Sequence, residues 1–113
     1  AIMVSALIVK VAYDLVVSGV NELVEHSLPA STEREILDIV TSDGNVSDPH
    51  NLKTRRIGQN IAVEVHIRLP HDMTVGQSHS ITVGIERRLR ERFGDGTQTI
   101  IHVEPLKSGS RSV

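Results

Sequence analysis

Residues Ile61 to Leu69, I-A-V-E-V-H-I-R-L, alternate apolar and polar side chains without a break. A period of two marks a strand with one buried face and one open face. It governs what the rest of the chain can build. Ile61, Val63, Val65, Ile67 and Leu69 need apolar cover, whereas Glu64, His66 and Arg68 do not. With one Tyr, one Phe and no Trp, that cover must come from Ile, Leu and Val.

The flanking segments supply it. His50 to Ile57 reads as a strand joined to Ile61–Leu69 through Gly58-Gln59-Asn60, a short glycine-bearing connection that predicts an antiparallel hairpin. Thr74 is a good N-cap for a helix over Val75 to Phe93, whose Ile81, Ile85, Leu89 and Phe93 share a stripe. Gly94-Asp95-Gly96 ends it. Thr97 to Glu104 forms a further strand, with Ile101 and Val103 facing the core and His102 and Glu104 sharing the opposite face. Upstream, Ser31 or Thr32 caps a helix that turns Ile36, Leu37, Ile39 and Val40 inward and stops at Asp43-Gly44. The order predicts an α+β domain, a ferredoxin-like αββαβ arrangement without its first strand. Two helices cover one face of a three-stranded sheet, and the other face stays open.

The first 27 residues contain no proline and a single glycine, Gly19, which predicts one long helix over Ala1 to Ser27, ended by Pro29. Ala1 to Val9 is almost wholly apolar. These nine residues fall short of the roughly 20 that a helix needs to span a bilayer. They also lack the basic leading region and small-residue cleavage site of a signal peptide. The expectation is that the chain starts part-way through a membrane helix. Residues 1–28 would then be the end of that helix and a linker, 29–105 the folded domain, and 106–113 a disordered polar tail.

Composition narrows the function. The formal net charge is −2, and the aromatic scarcity leaves no platform for stacking bases, so nucleic acid is not an expected partner. The absence of cysteine excludes disulfides and thiolate metal sites. Six histidines are the oddity. A centre of imidazole and carboxylate suits zinc, iron, manganese, cobalt or nickel better than copper(I). The candidate ligands are His50, His66, His79, His102 and Glu104, which are too scattered for a local motif and can be gathered only by the fold. Alternation puts His66 on the open face with His102 and Glu104. It leaves His50 undecided, because Leu52 has the same parity and reads as buried. Lys53, Arg55 and Arg56 read as a charged strand edge that guards against aggregation. Glu86 to Arg92 reads as a solvated helix face with pairs such as Glu86–Arg90. No spacing pairs a nucleophile with a base, and no glycine cluster forms a phosphate loop, so no enzyme activity is expected.

Six segments in order resemble the C-terminal cytoplasmic domain of the cation diffusion facilitator transporters. They are E-L-V-E-H-S-L-P, E-I-L-D-I-V-T-S, H-N-L-K-T-R-R-I-G, V-H-I, T-V-G-Q-S-H-S-I and I-H-V-E-P, spread over Ala1 to Pro105. The resemblance implies a homodimeric antiporter that exchanges a divalent cation for protons across a membrane, the bacterial inner membrane being expected. Zinc is favoured as the ion, with iron or manganese as alternatives. The family's transport site lies in membrane helices absent from this sequence. Its soluble domain holds regulatory metal between the sheet face and the dimer partner, which implies ligand roles for His50, His66, His79, His102 and Glu104. Glu25 matches an acidic position that makes a charge contact near the membrane surface. The sequence departs from the family where Glu104 stands at a position often held by aspartate, and in the loop near Asp43-Gly44. The reading from a different class is a soluble ferredoxin-like ligand-binding or interaction module with incidental histidines. The N-terminal apolar run discriminates between the two.

Overall fold

The structure is a computed structural model of the chain, and it describes residues 1–23 and 27–107. Its elements are helix α1 (Ile2–Leu23), helix α2 (Ala30–Val40), strands β1 (Ser47–Ile57) and β2 (Asn60–Leu69), helix α3 (Val75–Phe93) and strand β3 (Gln98–Pro105). The strands form one sheet in the order β1-β2-β3. Strands β1 and β2 pair antiparallel, and β3 runs parallel to β2. The α+β architecture is therefore the expected one. Helix α3 is the crossover of a β2-α3-β3 unit, as parallel neighbours require. In a complete ferredoxin-like sheet another strand would separate this pair. Here β3 lies directly against β2.

The alternation along β2 appears without exception. Ile61, Val63, Val65, Ile67 and Leu69 are buried, while Ala62, Glu64, His66 and Arg68 are half-buried on the other face. The buried row packs with Ile36 and Val40 of α2, Ile85 and Leu89 of α3, and Leu28 and Val46 from the connecting segments. Ile39, Ile81 and Phe93 flank this core, so both helices lie on one face. Ile101 also packs against it, whereas Val103, expected to face inward, is 37% exposed near the end of an edge strand.

Local chemistry sets the element ends. Thr74 caps α3 as predicted, with its hydroxyl accepting from the Gln77 N–H at 3.1 Å while the Gln77 side chain accepts from the Thr74 N–H at 2.9 Å. Gly58 takes φ +59° in a two-residue turn between Ile57 and Asn60, a backbone that glycine adopts without strain. Helix α2 corrects the expectation of a Ser31 or Thr32 cap. Its N-cap is Pro29, whose carbonyl accepts from Thr32 and Glu33, so both predicted caps lie inside the first turn. The same proline thus starts α2 and, contrary to expectation, does not end α1, because Ser27 and Leu28 already lie outside any helix. Ser27 lies outside α1, which shortens the predicted long helix. Strand β1 starts at Ser47 rather than His50 and tolerates Pro49 because it is an edge. Leu106 donates to the Leu69 carbonyl at 3.0 Å, so main-chain pairing passes the predicted start of the tail. Residues 108–113, and Glu25, lie outside the described residues.

Helix α1 is exposed from Ile2 to Ser18, and its Ile2–Val20 stretch is long and apolar enough to cross a membrane. At 1.5 Å per residue those 19 residues reach about 28 Å, close to the hydrocarbon thickness of roughly 30 Å.

Candidate metal centre

His50 reaches the open sheet face only because β1 is irregular. Ser47 pairs with Arg68, His50 with His66 and Lys53 with Glu64, so twice in succession three steps along β1 match two along β2. These are β-bulges, and each extra residue reverses the parity of the residues beyond it. Asp48 (φ +47°) and Asn51 (φ +50°) take the left-handed backbone that the bulges need. Asp and Asn are the side-chain-bearing residues that tolerate it best. His50 is thereby turned towards His66, while Leu52 packs against the core. Alternation left His50 open for a definite reason: the strand does not alternate there.

Strand register assembles the rest. His66 on β2 pairs with His50 on one side and His102 on the other, and Arg68 pairs with Glu104. The Glu104 carboxylate is the hub. Its Oε1 lies 3.1 Å from His66 Nδ1, 3.3 Å from His50 Nε2 and 4.0 Å from His102 Nε2. Its Oε2 accepts from Arg68 Nη2 at 3.0 Å. The His66 and His102 rings stand 4.6 Å apart. The hydrogen bond from His66, assisted by the Arg68 and His50 charges, holds the Glu104 carboxyl below its usual range despite partial desolvation.

One ligand atom from each of His50, His66 and Glu104 falls within 4.8 Å of the others, the only such group among the described residues. Zinc bonds of about 2.0–2.1 Å place tetrahedral ligands roughly 3.3 Å apart. The 3.1 and 3.3 Å separations are close to that edge and the third lies within 4.8 Å, so the donor set can close on a small divalent ion. His102 borders the group and is 60% exposed, open towards solvent. His79 is not brought to it. It sits exposed on α3, in the helical layer, while the centre lies on the open face of the sheet.

Two residues that sequence reasoning did not single out complete the surroundings. Arg68 is 15% exposed and donates to Asp48 Oδ2 at 2.8 Å and to the Pro105 carbonyl at 3.1 Å as well as to Glu104. The Asp48 carbonyl accepts from His50 Nδ1 at 2.7 Å, which turns His50 Nε2 towards Glu104. The Arg68 bond draws the Asp48 carboxyl below its usual range. The polar parity of Arg68 was legible beforehand, but its alignment with Glu104 was not.

The family model for the cation efflux protein cytoplasmic domain matches residues 28–106. Cation-efflux pump FieF of Salmonella arizonae is 32% identical over 95 residues, covering 84% of this chain and 31% of that protein. The chain thus spans about a third of such relatives. A solved structure of CzrB superposes with a TM-score of 0.63 at 32% identity, covering 72% of this chain and all of that one. A further CzrB structure is a Zn form. The metal-bound C-terminal domain of the CzcD transporter from Thermotoga maritima gives a TM-score of 0.58 at 30% identity, covering 73% of this chain and 99% of that one.

Proposed function

This chain belongs to the cation efflux protein family through its cytoplasmic domain, and from that premise we propose that it is the metal-sensing and dimerising part of a proton-coupled divalent-cation efflux transporter. The family is one of cation transporters rather than enzymes. One observation carries the reading: the pairing of β1 and β3 with β2 converges His50, His66 and Glu104 on the uncovered face of the sheet. An imidazole-rich donor set favours zinc over oxygen-seeking ions, and the zinc form of CzrB agrees with that choice. His102 and His79 are exposed imidazoles available to complete the coordination when a second copy docks.

A homodimer with facing sheets supplies the sensing step. Without metal, Glu64 and Glu104 of the two copies repel across the cleft. A divalent ion neutralises that repulsion and bonds best when the copies are close, and only such differential affinity shifts a conformational population. The shift has a route to the membrane. Four residues beyond His50, the Thr54 hydroxyl accepts from the Leu28 N–H at 3.0 Å and donates to Glu33 at 2.7 Å, tying the linker and α2 to the strand that carries the metal ligand. Helix α1, exposed and apolar, continues from that linker into the bilayer. Its uncovered surface speaks against a soluble module with incidental histidines.

Titration calorimetry with Zn2+ on the detergent-solubilised chain tests the reading. Binding on the micromolar scale is expected, weakening as pH falls through about 6.5, where free imidazole takes up a proton. Affinity left unchanged in a His66→Ala, Glu104→Ala double variant would refute it.

A further inference from the structure

Metal centres are set as much by what grips the ligands as by the ligands themselves. The Glu104 carboxylate is divided: one oxygen faces three imidazoles, and the other is held by a guanidinium. Arg68 has little freedom to release it. Its Nε, Nη1 and Nη2 are bound respectively by the Asp48 carboxylate, the Pro105 carbonyl and Glu104. The three acceptors come from both neighbouring strands, which fixes the guanidinium plane. Asp48 adds a second restraint, because its carbonyl orients His50 while its carboxylate orients Arg68.

We infer that Arg68 is a positioning residue that limits Glu104 to single-oxygen ligation, so that the centre prefers small, nitrogen-seeking divalent ions to larger, oxygen-seeking ones. This rests on the metal-holding role proposed above. An ion among the imidazoles meets Oε1, while Oε2 is turned away and its charge is met by Arg68. Four-coordinate zinc accepts a single carboxylate oxygen. Manganese and calcium favour oxygen-rich, higher-coordinate shells, and calcium often takes both oxygens of a carboxylate. A glutamate has one more rotatable bond than an aspartate and is freer to chelate with both oxygens. The arginine opposite Glu104 removes that freedom.

The test compares the full chain in detergent micelles with Arg68→Gln, Arg68→Lys and Asp48→Asn. Two readouts are used: the visible spectrum of bound Co2+, intense when four-coordinate and weak at higher coordination, and the Zn2+/Mn2+ affinity ratio by calorimetry. The unaltered chain is expected to give the intense spectrum. Arg68→Gln should lose intensity as both Glu104 oxygens become available, and its Zn2+/Mn2+ ratio should fall roughly tenfold or more. Arg68→Lys keeps the charge but not the fork, so it should follow Gln. Asp48→Asn, at an exposed carboxylate, should shift both readouts the same way by less, and it decides the matter if the Arg68 variants do not fold. An unchanged spectrum and ratio would overturn the inference. So would full retention of both by Lys, or equal gains for both metals in Gln, since either would make Arg68 a mere charge. Failure of the unaltered chain to bind Co2+ and Zn2+ would overturn the proposed function itself, and the inference with it.

Discussion

Thr54→Val is the sharpest perturbation of the link between the sheet and the segment that follows α1. The change is nearly isosteric and removes one hydroxyl from a residue only 6% exposed. Two bonds go with it. The Leu28 N–H loses its acceptor at a residue that is also 6% exposed, and an unpaired buried donor costs about 1–3 kcal/mol. The 2.7 Å bond to Glu33 is charge-assisted, but that carboxylate is only half-buried and water replaces the lost donor, so its share is about 1 kcal/mol. The added methyl returns about 1 kcal/mol through the hydrophobic effect. The balance is a destabilisation of about 1–3 kcal/mol. Small domains unfold in urea with slopes of about 1–3 kcal/mol/M, so the midpoint should fall by roughly 1 M. Hydrogen exchange at the Leu28 amide reads the bond directly and should accelerate in Val but not in Thr54→Ser, which keeps the hydroxyl. A midpoint and Leu28 exchange rate both equal to those of the unaltered chain would refute the reasoning.

Glu104 titrates below its usual value of 4.5, so the stability it contributes is fully present above that pH and is lost as pH falls through the lower folded-state value. In metal-free protein, the stability difference between the unaltered chain and Glu104→Gln should therefore shrink as pH drops below 4.5; a difference constant with pH would contradict it. Sedimentation, corrected for bound detergent, should give twice the chain mass of 12.4 kDa. A spin label at the exposed Arg90 position should show a shortened or narrowed distance between copies on adding Zn2+, and no change in His102→Ala. A monomer with and without metal would remove the dimer, and an unaltered distribution would remove the sensing step.

Much of the architecture is legible in local pattern, because local pattern is what periodicity reports. The alternation of Ile61 to Leu69 determined which face of the central strand is buried, and Thr74 determined where α3 begins. His66, His102 and Glu104 could be placed on one face for the same reason. Side-chain preference points to Ser31 and Thr32 as the cap of α2, whereas Pro29 caps through its backbone carbonyl, which no residue-type preference reveals. The centre itself needed non-local information. His50 joins through two bulges, and a bulge is set by pairing with another strand rather than by the strand's own sequence. Arg68 meets Glu104 because β2 and β3 align them, although they stand 36 positions apart in the chain. Thr54 meets Leu28 because the core closes over both. His79 shows the converse, a histidine that composition places beside the others and that its helix holds apart from them within one copy. Periodicity sorts residues between faces, but register decides which of them touch, and register emerges only when the strands pack together.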